Sequence, residues 1–333
     1  MHKISQHEKN SFLIMLNRRI LRIKAFKVLY SYAENPTMTA AEAESMLEAS
    51  CEAARSLYIF MLDIIPYLTA EALTRIENAK TKFVQTEEER NPNLKFTRNA
   101  VAAALEADPD FRKILSRRKL SWEPYDALVR SLYDSICSKE YFKEYMNSGE
   151  SSVEEDCRLF IKIFEEEFVD NTELEKILED QSILWCDDLA YSLTVCCDTL
   201  KALAKGHRWS LPPLYRSDMM SPGKAVESDK SFIYKLLRTA YACYGIYAPL
   251  VAANASQWER DRLFATDTVL IVMGLAEAKA FPSMPLRVTI NEYVEISKYY
   301  STPKSSSFVN GLLDRLSKKL IEEGDIVKTE IIS

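Results

Sequence analysis

Arg18, Arg19, Arg22 and Lys27 are four of the five cations that fall within ten residues near the start of the chain. Guanidinium forks bind carboxylate or phosphate oxygens two at a time, and a lysine adds a compact point charge. If Asn17 caps a helix, the three arginines sit at its amino-terminal end, where the helix dipole is already positive. Each is then disfavoured by about 0.3–1 kcal/mol unless an anion is present. Bound phosphates would reverse that penalty; an ordinary solvated basic end is the competing reading. A second candidate is Thr302-Pro303-Lys304-Ser305-Ser306-Ser307, where a helix start would offer free N–H donors, hydroxyls and one cation. A capped turn without a ligand competes with it. The usual catalytic groupings are missing. The three histidines, His2, His7 and His207, are scattered, and the sequence contains no H-E-x-x-H, no G-x-S-x-G and no glycine-rich phosphate loop. The residues describe a binding protein rather than an enzyme, with no metal and no cofactor.

Charge is unevenly distributed. Residues 1–28 carry seven cations against one anion, a net +6, although the whole chain is −6, so the remainder sums to −12. A basic end on an acidic body suits a local polyanion site. The seven cysteines are odd in number and lack C-x-x-C spacing, as expected of free thiols in a reducing compartment. With no signal peptide and no apolar run approaching the ~18 residues of a membrane span, the expected location is cytoplasmic, away from membranes.

The elements that must position these groups are helices. Only 7 glycines occur among 333 residues, and no alternating run bounded by hairpin turns is present. Asn17–Tyr32 has apolar residues on two faces, Leu21, Ala25, Val28, Leu29 and Tyr32 against Ile23, Phe26 and Tyr30, as in a helix central to its domain. Ala43 to Met61 forms a long amphipathic stripe with Pro66 near its end. Val153, Cys157, Phe160, Ile161, Phe164 and Phe168 form another. Arg117, Arg118 and Lys119 with Trp122 nearby offer phosphate contacts and a stacking platform; a charged helix end beside a half-buried tryptophan is the competing and preferred reading. Gly206 to Ser228, with Pro212-Pro213 and Pro222-Gly223, is a long irregular connection and marks a boundary. Thr289 and Glu292 are spaced as a capping box. Pro303 starts a last helix, whose stripe is Phe308, Leu312, Leu316 and Leu320, and Gly324 is placed to end it.

Two runs in this last region carry a resemblance. Ile290-Asn291-Glu292, Glu295-Ile296-Ser297-Lys298, then Phe308-Val309-Asn310-Gly311-Leu312-Leu313-Asp314, resemble the carboxy-terminal signature of the NusB family. Asn17–Tyr32 resembles that family's first helix, and Met15 is an alternative start of translation. The resemblance implies an all-α, NusB-like helical bundle. It divides the chain into 1–35, the first core helix; 36–227, a large all-helical insertion and linker of unassigned role; and 228–333, the rest of the core. It further implies a transcription antitermination factor that binds single-stranded boxA-type RNA with the ribosomal protein NusE in the transcription elongation complex during rRNA transcription. Arg18, Arg19, Arg22, Lys27, Lys304 and Ser305 are the expected RNA contacts. Asp261, Asp267 and Glu277 are the expected NusE-facing acids, although Asp267 also suits a helix cap. Asn291, Asn310 and Gly311 are expected to pack helices closely. A helical scaffold built on a NusB-like core, or a stand-alone relative of the NusB-like domain of RNA methyltransferases, are the rival readings.

Overall fold

The computed structural model describes residues 15–206, 210–217, 228–255 and 265–329. Among these, every regular element is helical. In chain order they are α1 (Arg18–Glu34), α2 (Ala40–Lys80), α3 (Glu87–Arg90), α4 (Ala100–Ala107), α5 (Pro109–Arg118), α6 (Asp126–Ser138) and α7 (Glu140–Asn147). There follow α8 (Val153–Glu167), α9 (Thr172–Gln181), α10 (Leu189–Ala204), α11 (Asp229–Ala255), α12 (Ala265–Ala280), α13 (Leu286–Tyr300) and α14 (Ser305–Glu322). The all-α expectation holds.

The chain divides into two compact units. One comprises Glu52–Pro213 together with Met15; the other comprises Leu16–Cys51 and Leu214–Ser333. The expected boundaries, at 35/36 and 227/228, differ from these. The first turns of α2 belong with the core helices because side chains tie them there. Arg238 on α11 forks onto Glu44 (2.6 and 2.8 Å), the Tyr241 hydroxyl donates to the Met38 carbonyl (2.8 Å), and Lys24 on α1 donates to Ser50 (3.2 Å).

In the Leu16–Cys51/Leu214–Ser333 unit, α12 is the centre. Its residues from Val269 to Ala278 are buried on every side, and α1, α11, α13 and α14 all pack on it. A helix apolar all round must be enclosed in this way. Asn17 caps α1 as its sequence predicts, accepting from the Ile20 N–H (3.0 Å). Gly324, at φ +78°, ends α14, with the Asp325 N–H reaching back to the Leu320 carbonyl (2.9 Å). The close approach of helices occurs at Gly274 on α12, where an added Cβ would lie 2.6 Å from Leu313 and 3.3 Å from Tyr293. Asn291, Asn310 and Gly311, expected to pack, are exposed instead. Gly274→Val should therefore cost about 1–3 kcal/mol, the usual range for overpacking, as read by thermal melting; Gly311→Ala should be neutral or slightly stabilising.

In the Glu52–Pro213 unit α2 is buried from Leu57 to Ile65, and α8 packs against α4, α6, α7 and α10. Its aromatic centre stacks Trp122 on Phe60 at 4.2 Å, and Phe60 on Trp185 at 5.5 Å. Trp122 is fully buried and donates its indole N–H to the Phe60 carbonyl (2.7 Å), so it is a core anchor rather than a stacking platform. Arg118 is likewise held, by Glu52 and Ser56. Pro66 lies inside α2 rather than near its end, because Leu68 and Ala72 beyond it are also buried and keep the helix going. Contrary to the sequence expectation, α2 is long and apolar enough to cross a membrane, and 61% of that apolar window is buried within the protein itself.

Candidate nucleic-acid interface

The anion demanded by the cationic start of α1 is supplied from within the chain. Arg18 pairs with Asp229 at the start of α11 (3.1 Å) and lies over the Phe232 ring, 4.6 Å from its centroid. Arg19 forks onto Glu292 of α13 (3.0 and 2.8 Å). Arg22 forks onto Glu277 of α12 (2.7 and 2.8 Å). Three arginines thus meet three carboxylates from three other helices.

Glu277 is fully buried. Besides Arg22, it accepts from the Thr289 hydroxyl (3.0 Å) and the Tyr293 hydroxyl (3.0 Å), so four donors fill its four lone-pair directions. Burial works against the Arg22 charge, but the Glu277 carboxylate outweighs it and holds the guanidinium pKa above its ordinary value. Burial, reinforced by the neighbouring Glu277 charge, pushes the Tyr293 phenol well up, so it remains a donor at any working pH. Glu277 is therefore the hub of an internal network and not a partner-facing acid. Thr289 and Glu292, spaced as a capping box, do not cap: α13 begins at Leu286, and both residues serve this network.

Asp267 is corrected in the same way. It sits within α12, only 1% exposed, and accepts from the hydroxyls of Ser301 (2.6 Å) and Ser305 (2.9 Å). Burial raises its pKa, partly offset by those two hydroxyls. The expected phosphate position at the start of α14 already holds this carboxylate. Ser305, 3% exposed, is consequently committed to Asp267, whereas Lys304 beside it is exposed. Asp261 lies outside the described residues.

The surface that remains runs along α1 and α13. These helices lie side by side in the same direction, since Arg19 meets Glu292 and Phe26 packs on Tyr300 with ring centroids 5.4 Å apart. Arg19 keeps 46% of its side chain exposed. Half-buried Lys27 lies 5.6 Å from the Tyr300 ring centroid, and Tyr299 next to it is 80% exposed. Lys304 lies four residues after Tyr300. Cations flanking an exposed aromatic ring can hold phosphates and stack an unpaired base. Of the expected RNA contacts, Arg19, Lys27 and Lys304 lie on the surface. Arg18 is partly covered, at 26% exposure, and Arg22 and Ser305 are interior. The tyrosines were not singled out from sequence. Their signal is an aromatic pair at the end of an amphipathic helix, just before a basic turn.

An all-helical protein with a cation-and-tyrosine surface on its core unit is the class that fold and site define. Comparison with known proteins places it further. The model of the NusB family matches residues 211–318, almost wholly within the unit that carries this surface. Proteins named transcription antitermination protein NusB are similar to it. That of Chloroherpeton thalassium is 35% identical over 100 residues, 30% of this chain and 47% of the relative. That of Salinibacter ruber is 33% identical over 102 residues, 31% and 64%. That of Listeria monocytogenes is 32% identical over 91 residues, 27% and 71%. The chain belongs to the NusB family. It spans between about half and two thirds of the length of the first two of these relatives. No solved structure matches it.

Proposed function

We propose that the unit containing α1 and α11–α14 binds single-stranded boxA-type RNA together with the ribosomal protein NusE, within the transcription elongation complex during rRNA transcription. The protein does so in the cytoplasm, without catalysis and without a membrane. The observation that carries this reading is the α1–α13 surface, Arg19, Lys27, Tyr299 and Lys304, on a chain whose relatives are named antitermination proteins. Phosphates would be held by Arg19, Lys27 and Lys304, and unstacked bases by the exposed Tyr299 ring. Arg22 acts from the interior, positioning α1 through Glu277. Asp261 remains the proposed acidic contact to NusE.

The test is a gel shift with boxA-type and scrambled RNA, with and without NusE. Arg19→Ala and Lys304→Glu should each weaken binding, and each lost phosphate contact should flatten the salt dependence by about 0.7 in log–log slope. Glu292→Gln should tighten binding, because it releases Arg19 from a competing carboxylate. Indifference to RNA sequence both with and without NusE would reject the reading. If Lys304→Glu also lost NusE to the same degree as RNA, the α13–α14 turn would be scaffold only.

A further inference from the structure

Asp63 is out of place on any reading of the RNA surface. It sits in the apolar run Met61-Leu62-Asp63-Ile64-Ile65 on α2, in the Glu52–Pro213 unit, and is only 7% exposed. Unlike the other buried acids, it has no hydrogen bond and no ion pair among the described residues. Asp156, for comparison, accepts from the Tyr145 hydroxyl and the Ala100 N–H, and Glu167 from Ser135 and Tyr141. A buried carboxylate without partners is disfavoured and is rarely retained by packing alone.

Asp63 lines an open cleft of about 290 Å³. The apolar part of its wall comes from Pro66 and Tyr67 of α2, Leu105 of α4, Phe111 and Leu115 of α5, and Leu120. The other charged groups lining it are Glu106 on α4 and Arg112 on α5, both exposed at the rim. Two carboxylates against one guanidinium leave the cavity with an excess of negative charge when Asp63 is ionised. The Tyr67 hydroxyl is engaged with Ser121 (2.9 Å), which fixes its ring as part of the wall. One buried acid without a partner, in a cleft with several apolar side chains, is the arrangement of a small-ligand site. At about 30 Å³ for each atom, the share a water takes in the liquid, the space suits on the order of ten non-hydrogen atoms.

We propose that this pocket binds a small organic monoamine, its ammonium paired with Asp63 and its apolar body held against Tyr67, Leu105, Phe111 and Leu115. An ammonium supplies the donors that Asp63 lacks, and the Tyr67 ring adds a face toward which a cation is attracted. Burial pushes the Asp63 carboxyl up to about 7, so the pocket exchanges a proton for the ligand cation near neutral pH. Affinity therefore falls as the pH drops through that range, because the binding-competent ionised fraction falls.

Isothermal titration of the full chain with 2-phenylethylamine tests this. Saturable one-site binding is expected at pH 8, weakened about tenfold at pH 6, where the ionised fraction of a group titrating near 7 is about tenfold lower. The uncharged 3-phenylpropan-1-ol should bind at least tenfold more weakly, on the order of what one charged partner decides. Asp63→Asn keeps the shape and should abolish amine binding. It should also fold well at pH 8: a raised carboxylate pKa means that the folded state is favoured below the unfolded value and loses stability as pH climbs through the folded one, a loss that asparagine does not suffer. Leu115→Trp, which fills the cleft and leaves Asp63 in place, should abolish binding independently. The proposal is overturned if the wild-type chain shows no saturable amine binding, if the alcohol binds equally well, or if both variants retain amine affinity.

Discussion

Replacing Glu277 by alanine should lower the stability of the unit built on α12 by about 3–5 kcal/mol, the cost of breaking a buried ion pair from one side. The reason is the company that Glu277 keeps. Its removal leaves the Arg22 guanidinium, only 3% exposed, with one long contact to Glu292 (3.4 Å), and leaves the Thr289 and Tyr293 hydroxyls without an acceptor. Removing both charges, as Arg22→Met with Glu277→Leu, spares the first penalty and often costs little where a simple pair is replaced. Here it still strands two hydroxyls at about 1–3 kcal/mol each, so the double variant should recover only part of the loss. Hydrogen exchange of the α12 amides measures this within the correct unit, which a single melting curve of a two-unit chain does not. Arg19→Ala is the contrast. Its partner Glu292 is partly solvated and the pair lies on the surface, so stability should change by less than about 1 kcal/mol, while RNA binding weakens. If Glu277→Ala left α12 exchange unchanged, the network would be ornamental and Arg22 would return as a candidate RNA contact.

What the sequence made legible, and what it did not, separates along this same network. Helix periods, the Asn17 cap and the Gly324 terminus depend on residues within a turn of one another, and each is found where its spacing predicts. The basic start of α1 was legible as charge but not as paired charge. Its carboxylates come from Asp229, Glu277 and Glu292, more than two hundred positions away, and no local pattern joins them. Asp267 and Glu277 read as surface acids because acids usually are. Glu277 nevertheless stands in Leu275-Ala276-Glu277-Ala278, and Asp63 in an equally apolar run. An acid on the apolar face of a helix is the signal that could have marked both. The capping box failed for a related reason: Thr289 and Glu292 had stronger partners in tertiary contact than the orphan N–H groups of their own helix. Gly274 and not Gly311 provides the close approach, since a glycine inside a helix says that space is needed somewhere but not which glycine provides it.

In the Glu52–Pro213 unit the largest loss is expected from Trp122→Ala, about 3–5 kcal/mol for emptying a fully enclosed aromatic site. Trp122 is 0% exposed, stacks on Phe60 with the ring planes 10° apart, and supplies the hydrogen bond to the Phe60 carbonyl. Phe60 in turn stacks on Trp185, whose indole donates to the Ala53 carbonyl (3.0 Å), so one truncation loosens a ladder of three rings pinned at two points on α2. Trp122→Phe separates the contributions. It keeps most of the stacking area but leaves the carbonyl unpaired, and should cost about 1–3 kcal/mol. Exchange protection of the second half of α2 reports both. The same variant also bears on where RNA recognition resides. If the α1–α13 surface carries it, Trp122→Ala protein assayed below its unfolding temperature should retain boxA affinity within about twofold, a difference under ~0.5 kcal/mol. A tenfold loss with α12 protection intact would mean that the Glu52–Pro213 unit contributes RNA contacts of its own.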